Sequence, residues 1–319
     1  MPQHENIDPQ SLEPLVALNS ALPGGFNAIP DINARRATLN GMLEAMTADL
    51  PPNENVVLED RVIPGPEGNP DLTVRIYRPA NATGPLPGIL FLHGGGMVMG
   101  TLDTDHLTAV MLCETVGALI VSVDYRLAPE NPAPAAIEDC YAGLQWMAAH
   151  ADELGYTPVD RLAIYGGSAG GGLAIATALV SRDRGGPAIR FLMAPYPQID
   201  DRNVTESSQV IVDIGIWDRA GNIEAWEWYL GGNPADQYSA PSRASDLTGL
   251  PPTFIDVGDQ DMFMDEDLEF AHRLKAADVP VELHVYPGAY HASEVFAPTA
   301  ELSQRIWAAR IAALQTALG

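Results

Sequence analysis

The chain has 319 residues, 46% of them hydrophobic and 18% charged, which is the profile of a folded globular protein and not of a disordered or fibrous one. Its 17 basic against 42 acidic residues leave a formal charge of −25. That field repels phosphate backbones and anionic lipid headgroups, so neither nucleic acid nor a membrane surface is expected as a partner. Lys275 is the only lysine, which removes Schiff-base enzymes, P-loop nucleotide binding and Ser-x-x-Lys hydrolases, each of which needs a placed lysine.

The start, MPQHENIDPQSLEP, is acidic and lacks the apolar segment of a secretory signal, and no apolar run approaches the roughly 20 residues of a membrane span. A cytoplasmic protein is expected. Residues 1–50 show no strand pattern and read as the first part of a helical cap. From about residue 55, β-branched and apolar runs alternate with helical patterns, the signature of β-α-β units around a mostly parallel sheet. VVLEDRVI and LTVRIYRP read as an opening antiparallel pair. GILFLHGGG, ALIVSVDYR, RLAIYGG, IRFLMAPYP, TFIDVGD and VELHVYPG follow as candidate strands, eight in all. PAAIEDCYAGLQWMAAHADELG, SAGGGLAIATALVSRD, DLEFAHRLKAADV and SQRIWAARIAALQTAL carry apolar residues at helical spacing and would cover both sheet faces. Residues 199–247 break the alternation and read as a second cap segment, leaving 51–198 and 248–319 as an α/β core. Cys113 and Cys140 lie in helical patterns without metal-type spacing and read as buried thiols of a reducing compartment. No metal site is expected.

Among the twelve serines only Ser168 has glycine at both −2 and +2, in Gly166-Gly167-Ser168-Ala169-Gly170, between an expected strand and an expected helix. A nucleophile at such a turn takes a strained backbone while its neighbours approach closely, so small residues flank it. His93-Gly94-Gly95-Gly96 directly follows the strand GILFL. Consecutive glycines let several N–H groups converge on one oxygen, as an oxyanion hole requires, with one more N–H from Ala169. Neither glycine run completes G-x-G-x-x-G, which argues against a dinucleotide site.

A serine hydroxyl needs a base. Of the seven histidines, His291 alone both follows the serine in the chain and lies in a loop after a strand, within Pro287-Gly288-Ala289-Tyr290-His291. A carboxylate must orient it. VGDQDMFMDED offers Asp259, Asp261, Asp265 and Glu266, and the residues by themselves leave Asp259 and Asp261 as rivals.

Four motifs together resemble the hormone-sensitive-lipase-like α/β-hydrolases, also called family IV of the bacterial esterases, over about residues 55–319: HGGG at 93–96, YRLAPE at 125–130, GGSAGG at 166–171, and the PG-x-x-H ending at 287–291. The resemblance implies Ser168 as nucleophile, His291 as base and Asp261 as acid. It also implies oxyanion donors at Gly94, Gly95 and Ala169, and His93, Arg126 and Glu130 as supports of the loops. It implies a helical cap and hydrolysis of short acyl esters without a cofactor. Gly167 stands where Asp, Glu or Thr is usual, Met262-Phe263 where Pro-Leu is, and Asn131 where His is common. Met97, Val98 and Met99, with Trp217, Trp226, Trp228 and Tyr229, are the candidates for an apolar pocket around a small-molecule ester. Rival readings are an amidase, a dehydratase or another lyase at the same triad, or a non-catalytic small-ligand receptor. The assembly is expected to be a monomer or a homodimer, with VELHVY as a candidate edge for pairing.

Overall fold

A computed structural model describes residues 2–48, 50, 51, 53–157, 161–211 and 216–319. The apolar runs become β1 (Val56–Ile63), β2 (Leu72–Pro79), β3 (Gly88–Leu92), β4 (Leu119–Val123), β5 (Leu162–Gly166), β6 (Phe191–Pro195), β7 (Thr253–Gln260) and β8 (Val281–Tyr290). They form one eight-stranded sheet in the order β1-β2-β4-β3-β5-β6-β7-β8. β2 pairs antiparallel with β1 and β4. All other neighbours are parallel, so the fold is the expected α/β hydrolase sheet.

The helices that matter here are α1 (Pro9–Ala21), α2 (Ile32–Thr47), α3 (His106–Leu112), α4 (Ala135–Ala149), α5 (Ala169–Arg184), α6 (Arg219–Leu230), α7 (Met264–Ala276) and α8 (Glu301–Leu318). β3 to β6 are buried at every position, which is why they read as unbroken apolar runs and not as alternating ones. Successive side chains still point to opposite faces. Leu90, Leu92, Val121 and Ile164 pack against α4 and α5 through Leu144, Ile175 and Leu179. Ile89, Phe91, Ile120 and Ala163 pack against α3 and α8 through Val110, Leu112, Leu314 and Leu318. Each fully buried aliphatic or aromatic side chain contributes about 1.5–3 kcal/mol, so the inner strands are the firmest part of the molecule. Edge strand β1 instead leaves Val57, Leu58 and Val62 exposed.

Cys113 and Cys140 are buried and unpaired. Cys140 lies in α4, whereas Cys113 opens the π-helical turn Cys113–Gly117 that continues α3. No helix among the described residues is long and apolar enough to cross a membrane.

α1 and α2 are started by aspartates: Asp8 accepts from the Ser11 N–H and Asp31 from the Ala34 N–H, each satisfying a donor the helix leaves free. Both helices contribute to the roof over the C-terminal edge of the sheet. α6 joins them there. Its cap Asp218 accepts from Gly221 N–H and also from Asn27 Nδ2 at 2.6 Å, and Glu224 pairs with Arg35 of α2 at 2.5 Å.

Candidate active site

The loops leaving β3, β5, β7 and β8 all open at the C-terminal edge of the sheet, where open α/β folds hold ligands. Ser168 sits between β5 and α5 with φ 57° and ψ −123°, a backbone that non-glycine residues rarely take. Its neighbours must be small because the chain doubles back on itself. A Cβ on Gly166 would lie 2.2 Å from the Gly170 carbonyl oxygen, and one on Gly170 would lie 2.1 Å from that of Leu92. Six non-glycine residues among those described have positive φ, and Ser168, Tyr196 and Ala292 of these line the site. Such strain gathers where function over-determines the backbone.

The structure brings Ser168, His291 and Asp261 together. His291 Nε2 is 2.9 Å from Ser168 Oγ, and its Nδ1 is 2.7 Å from Asp261 Oδ2. Asp261 is buried, and its other oxygen accepts from the Phe263 N–H. Asp259, the rival, points elsewhere and accepts from the Gly288 N–H at 2.8 Å. Two rings pack against the imidazole, Tyr196 at 4.9 Å and Phe263 at 5.2 Å, both in edge-to-face contact.

The glycine loop departs from expectation in one respect. The Gly94 N–H donates to Asp105 Oδ2 at 2.8 Å and is therefore committed. Among the described residues, the N–H groups of Gly95, Gly96 and Ala169 make no hydrogen bond within the protein, and Gly95 and Gly96 line the cavity. The pair of free loop donors is thus Gly95 and Gly96, one residue later than expected. The cause is Asp105, which sequence reading passed over although it follows the loop closely in Thr101-Leu102-Asp103-Thr104-Asp105. Burial raises its carboxyl pKa. His93 lies under the loop, its Nδ1 at 2.8 Å from the Gly94 carbonyl, stacked on Tyr125. Desolvation pulls its pKa down to about 4, so it is neutral. Arg126 forms a bidentate pair with buried Asp139, and Glu130 takes two bonds from Arg36 of α2 at 2.8 Å. Both therefore tie the 125–130 loop to its surroundings.

A cavity of about 140 Å³ opens on Ser168 and His291. Its roof is Leu18, Leu22, Phe26, Leu39, Met42, Leu43, Met46, Ile216 and Trp217, and its floor includes Tyr165, Tyr196, Val295, Phe296 and Trp307. Trp217 stands on the wall as expected, so close to the loop that a Cβ on Gly96 would fall 2.2 Å from its ring. Met97, Val98 and Trp226 do not line the cavity. The loop curls back, with Val98 and Met99 N–H both donating to the Gly95 carbonyl, which drops the side chains of 97 and 98 into the core while Met99 faces the cavity. Trp226 is buried against Tyr229, and Trp228 lies under the Arg35 guanidinium at 5.2 Å. No cluster of His, Cys, Asp and Glu among the described residues could hold a metal ion.

A family model described as alpha/beta hydrolase fold matches residues 89–295. The carboxylesterase NlhH of Mycobacterium tuberculosis is 35% identical over 319 residues, covering 98% of this chain and 97% of the relative. The structure of a bacterial heroin esterase superposes with a TM-score of 0.92 at 39% identity over 99% of both chains. Esterase LipW of Mycobacterium marinum does so at 0.81 and 33% identity, over 98% of this chain and 96% of that one. Motifs, sheet order and these matches agree that the chain belongs to the hormone-sensitive-lipase-like branch of the α/β-hydrolases, a family of carboxylic ester hydrolases.

Proposed function

We propose that this carboxylic ester hydrolase cleaves short-chain acyl esters through an acyl-enzyme on Ser168. The observation that carries the reading is the relay of 2.9 and 2.7 Å from Ser168 through His291 to Asp261, set beside unpaired loop N–H groups at an apolar cavity. His291 Nε2 accepts the hydroxyl proton as Oγ attacks the ester carbonyl. Asp261 holds the imidazole tautomer and stabilises the imidazolium. The N–H groups of Gly95, Gly96 and Ala169 receive the developing oxyanion, aided by the positive end of α5. The protonated imidazole then passes its proton to the departing alkoxide, and water repeats the sequence on the acyl-enzyme.

A cavity of about 140 Å³, the volume of about five liquid waters, suits a small ester, and its apolar lining suits an acyl chain over a charged one. Residues 1–50 and 199–247 act in this reading as a cap that chooses the acyl group. A phosphonate ester should label Ser168 in a one-to-one ratio, and Ser168→Ala and His291→Ala should each lower kcat on p-nitrophenyl acetate by about 10³-fold or more. Activity near that of the unmodified chain in either variant would end the proposal.

A further inference from the structure

We infer that Tyr196 is a positioning residue for His291, anchored from behind by Glu294, Arg310 and Asp256, and that its ring takes the space which a side chain at 167 would otherwise fill. The inference rests on His291 being the base. Tyr196 leaves β6 with φ 33°, a costly conformation for a bulky aromatic that persists only where the surroundings impose it. Those surroundings are explicit. The Tyr196 N–H donates to the Asp256 carbonyl at 2.6 Å. Its phenol donates to Glu294 Oε1 at 2.5 Å, and the same oxygen accepts from Arg310 Nη1 at 2.7 Å. Arg310 grips Asp256 with two bonds of 2.7 and 2.8 Å and lays its guanidinium 5.2 Å from the Tyr196 ring centre. All four residues are buried.

A buried ion group of this kind is a poor route to stability, because desolvation offsets most of the attraction. What it supplies is a fixed ring. The Tyr196 ring packs against the imidazole at 4.9 Å and Phe263 does so at 5.2 Å, both in edge-to-face contact, and these contacts restrict rotation of the base. The same ring places Cε2, Oη and Cζ 3.4–3.7 Å from where a Cβ on Gly167 would sit. Alanine fits at that distance. From such a Cβ the carboxylate of an aspartate can reach the phenol and contend with Glu294 for its O–H. The glycine of this elbow and the anchored tyrosine are therefore one arrangement.

The test compares Tyr196→Phe, Tyr196→Ala, Gly167→Asp and the double variant Tyr196→Ala/Gly167→Asp on p-nitrophenyl acetate, with circular dichroism and thermal melts as the check on folding. Tyr196→Phe keeps the ring and loses the anchor, and should lower kcat about threefold to tenfold while KM stays within about twofold. Gly167→Asp should lower kcat at least about tenfold in the unmodified chain, but less than about threefold when Tyr196 is already alanine. A smaller fall in kcat for Tyr196→Phe, a change confined to KM, or equal losses from Gly167→Asp in both backgrounds overturns the inference. Phosphonate labelling of Ser168 that survives His291→Ala would instead refute the base assignment, whatever the tyrosine variants do.

Discussion

Beneath the cavity, at the edge of the sheet, geometry is imposed by backbone. A Cβ at 166 would collide with the Gly170 carbonyl oxygen at the start of α5 and one at 170 with that of Leu92 at the end of β3, and no rotamer change relieves such a contact. Above the cavity, α1 buries only Ser11 and Leu15, and α2 only Arg35. These helices are tied down by polar side chains: Arg36 reaches Glu130 and the carbonyls of Val98 and Ala128 at 2.8 Å, and Arg35 reaches Glu224. Partly exposed ion pairs of this kind are worth about 0–1 kcal/mol each, far less than the core beneath. On the proposed mechanism the chemistry falls to the half that cannot relax and the choice of substrate to the half that can.

The sharpest way to break that division is at Gly95. Its φ is 114°, and a Cβ there would lie 2.3 Å from the Met99 carbonyl oxygen, so Gly95→Ala must reshape the loop and misplace its free N–H. Losing one oxyanion donor costs about 10²–10³ in kcat, and that loss is the expected result for p-nitrophenyl acetate, with KM little changed. A variant within threefold of the unmodified rate would show the loop to be as adaptable as the roof.

The same contrast explains what could be read from sequence. Strands β3 to β6 were legible because burial on both faces leaves apolar runs, and Ser168 was legible because only glycines permit its turn. His291 followed from elimination among the seven histidines. Asp261 over Asp259 needed the family resemblance, since both leave the same strand and only their side-chain directions differ. Which N–H groups of Gly94-Gly95-Gly96 stay free depends on a carboxylate eleven residues on, and composition does not reveal that. That Trp217 and not Trp226 reaches the cavity depended on where α6 begins: Trp217 lies in the segment before the helix, whereas Trp226 lies within it and is buried against Tyr229. The roof contacts from Leu18, Leu22, Met42 and Met46 escaped notice because α1 and α2 lack a clean apolar stripe.

The rigid half also carries a cost that can be removed. Asp267, on α7 behind the loop bearing Asp261, is fully buried, and neither carboxyl oxygen has a partner. Burial, then the neighbouring Glu266 and Asp261, push its pKa well above the ordinary value. The folded chain therefore holds a proton that the unfolded chain releases above about pH 3.9. Stability falls as pH rises between the two values, because the native state binds more protons there. Asp267→Asn cannot ionise, so its stability relative to the unmodified chain should rise with pH from pH 3 to pH 8, by about 1.4 kcal/mol for each unit by which the Asp267 pKa stands above its unfolded value. Urea melts at the two pH values measure it. A pH-independent difference would mean that Asp267 is solvated or paired in solution.

The smallest effect is expected in the roof. Met42 lines the cavity from α2 without being part of the tightly packed core, so Met42→Trp should narrow the acyl site while leaving the elbow untouched. Hydrolysis of p-nitrophenyl acetate should stay within about twofold of the unmodified rate, and kcat/KM for the hexanoate should fall about threefold to tenfold, the scale on which apolar pockets discriminate by chain length. Roof helices held mainly by side-chain ties can shift to admit the larger ring, which keeps the expected loss modest. If the acetate rate falls as far as the hexanoate rate, roof and floor move together, and the division between a fixed chemical half and an adaptable selecting half fails. If neither falls, the acyl chain runs past the floor residues Val295 and Phe296 and not under α2, and selection belongs to the sheet side.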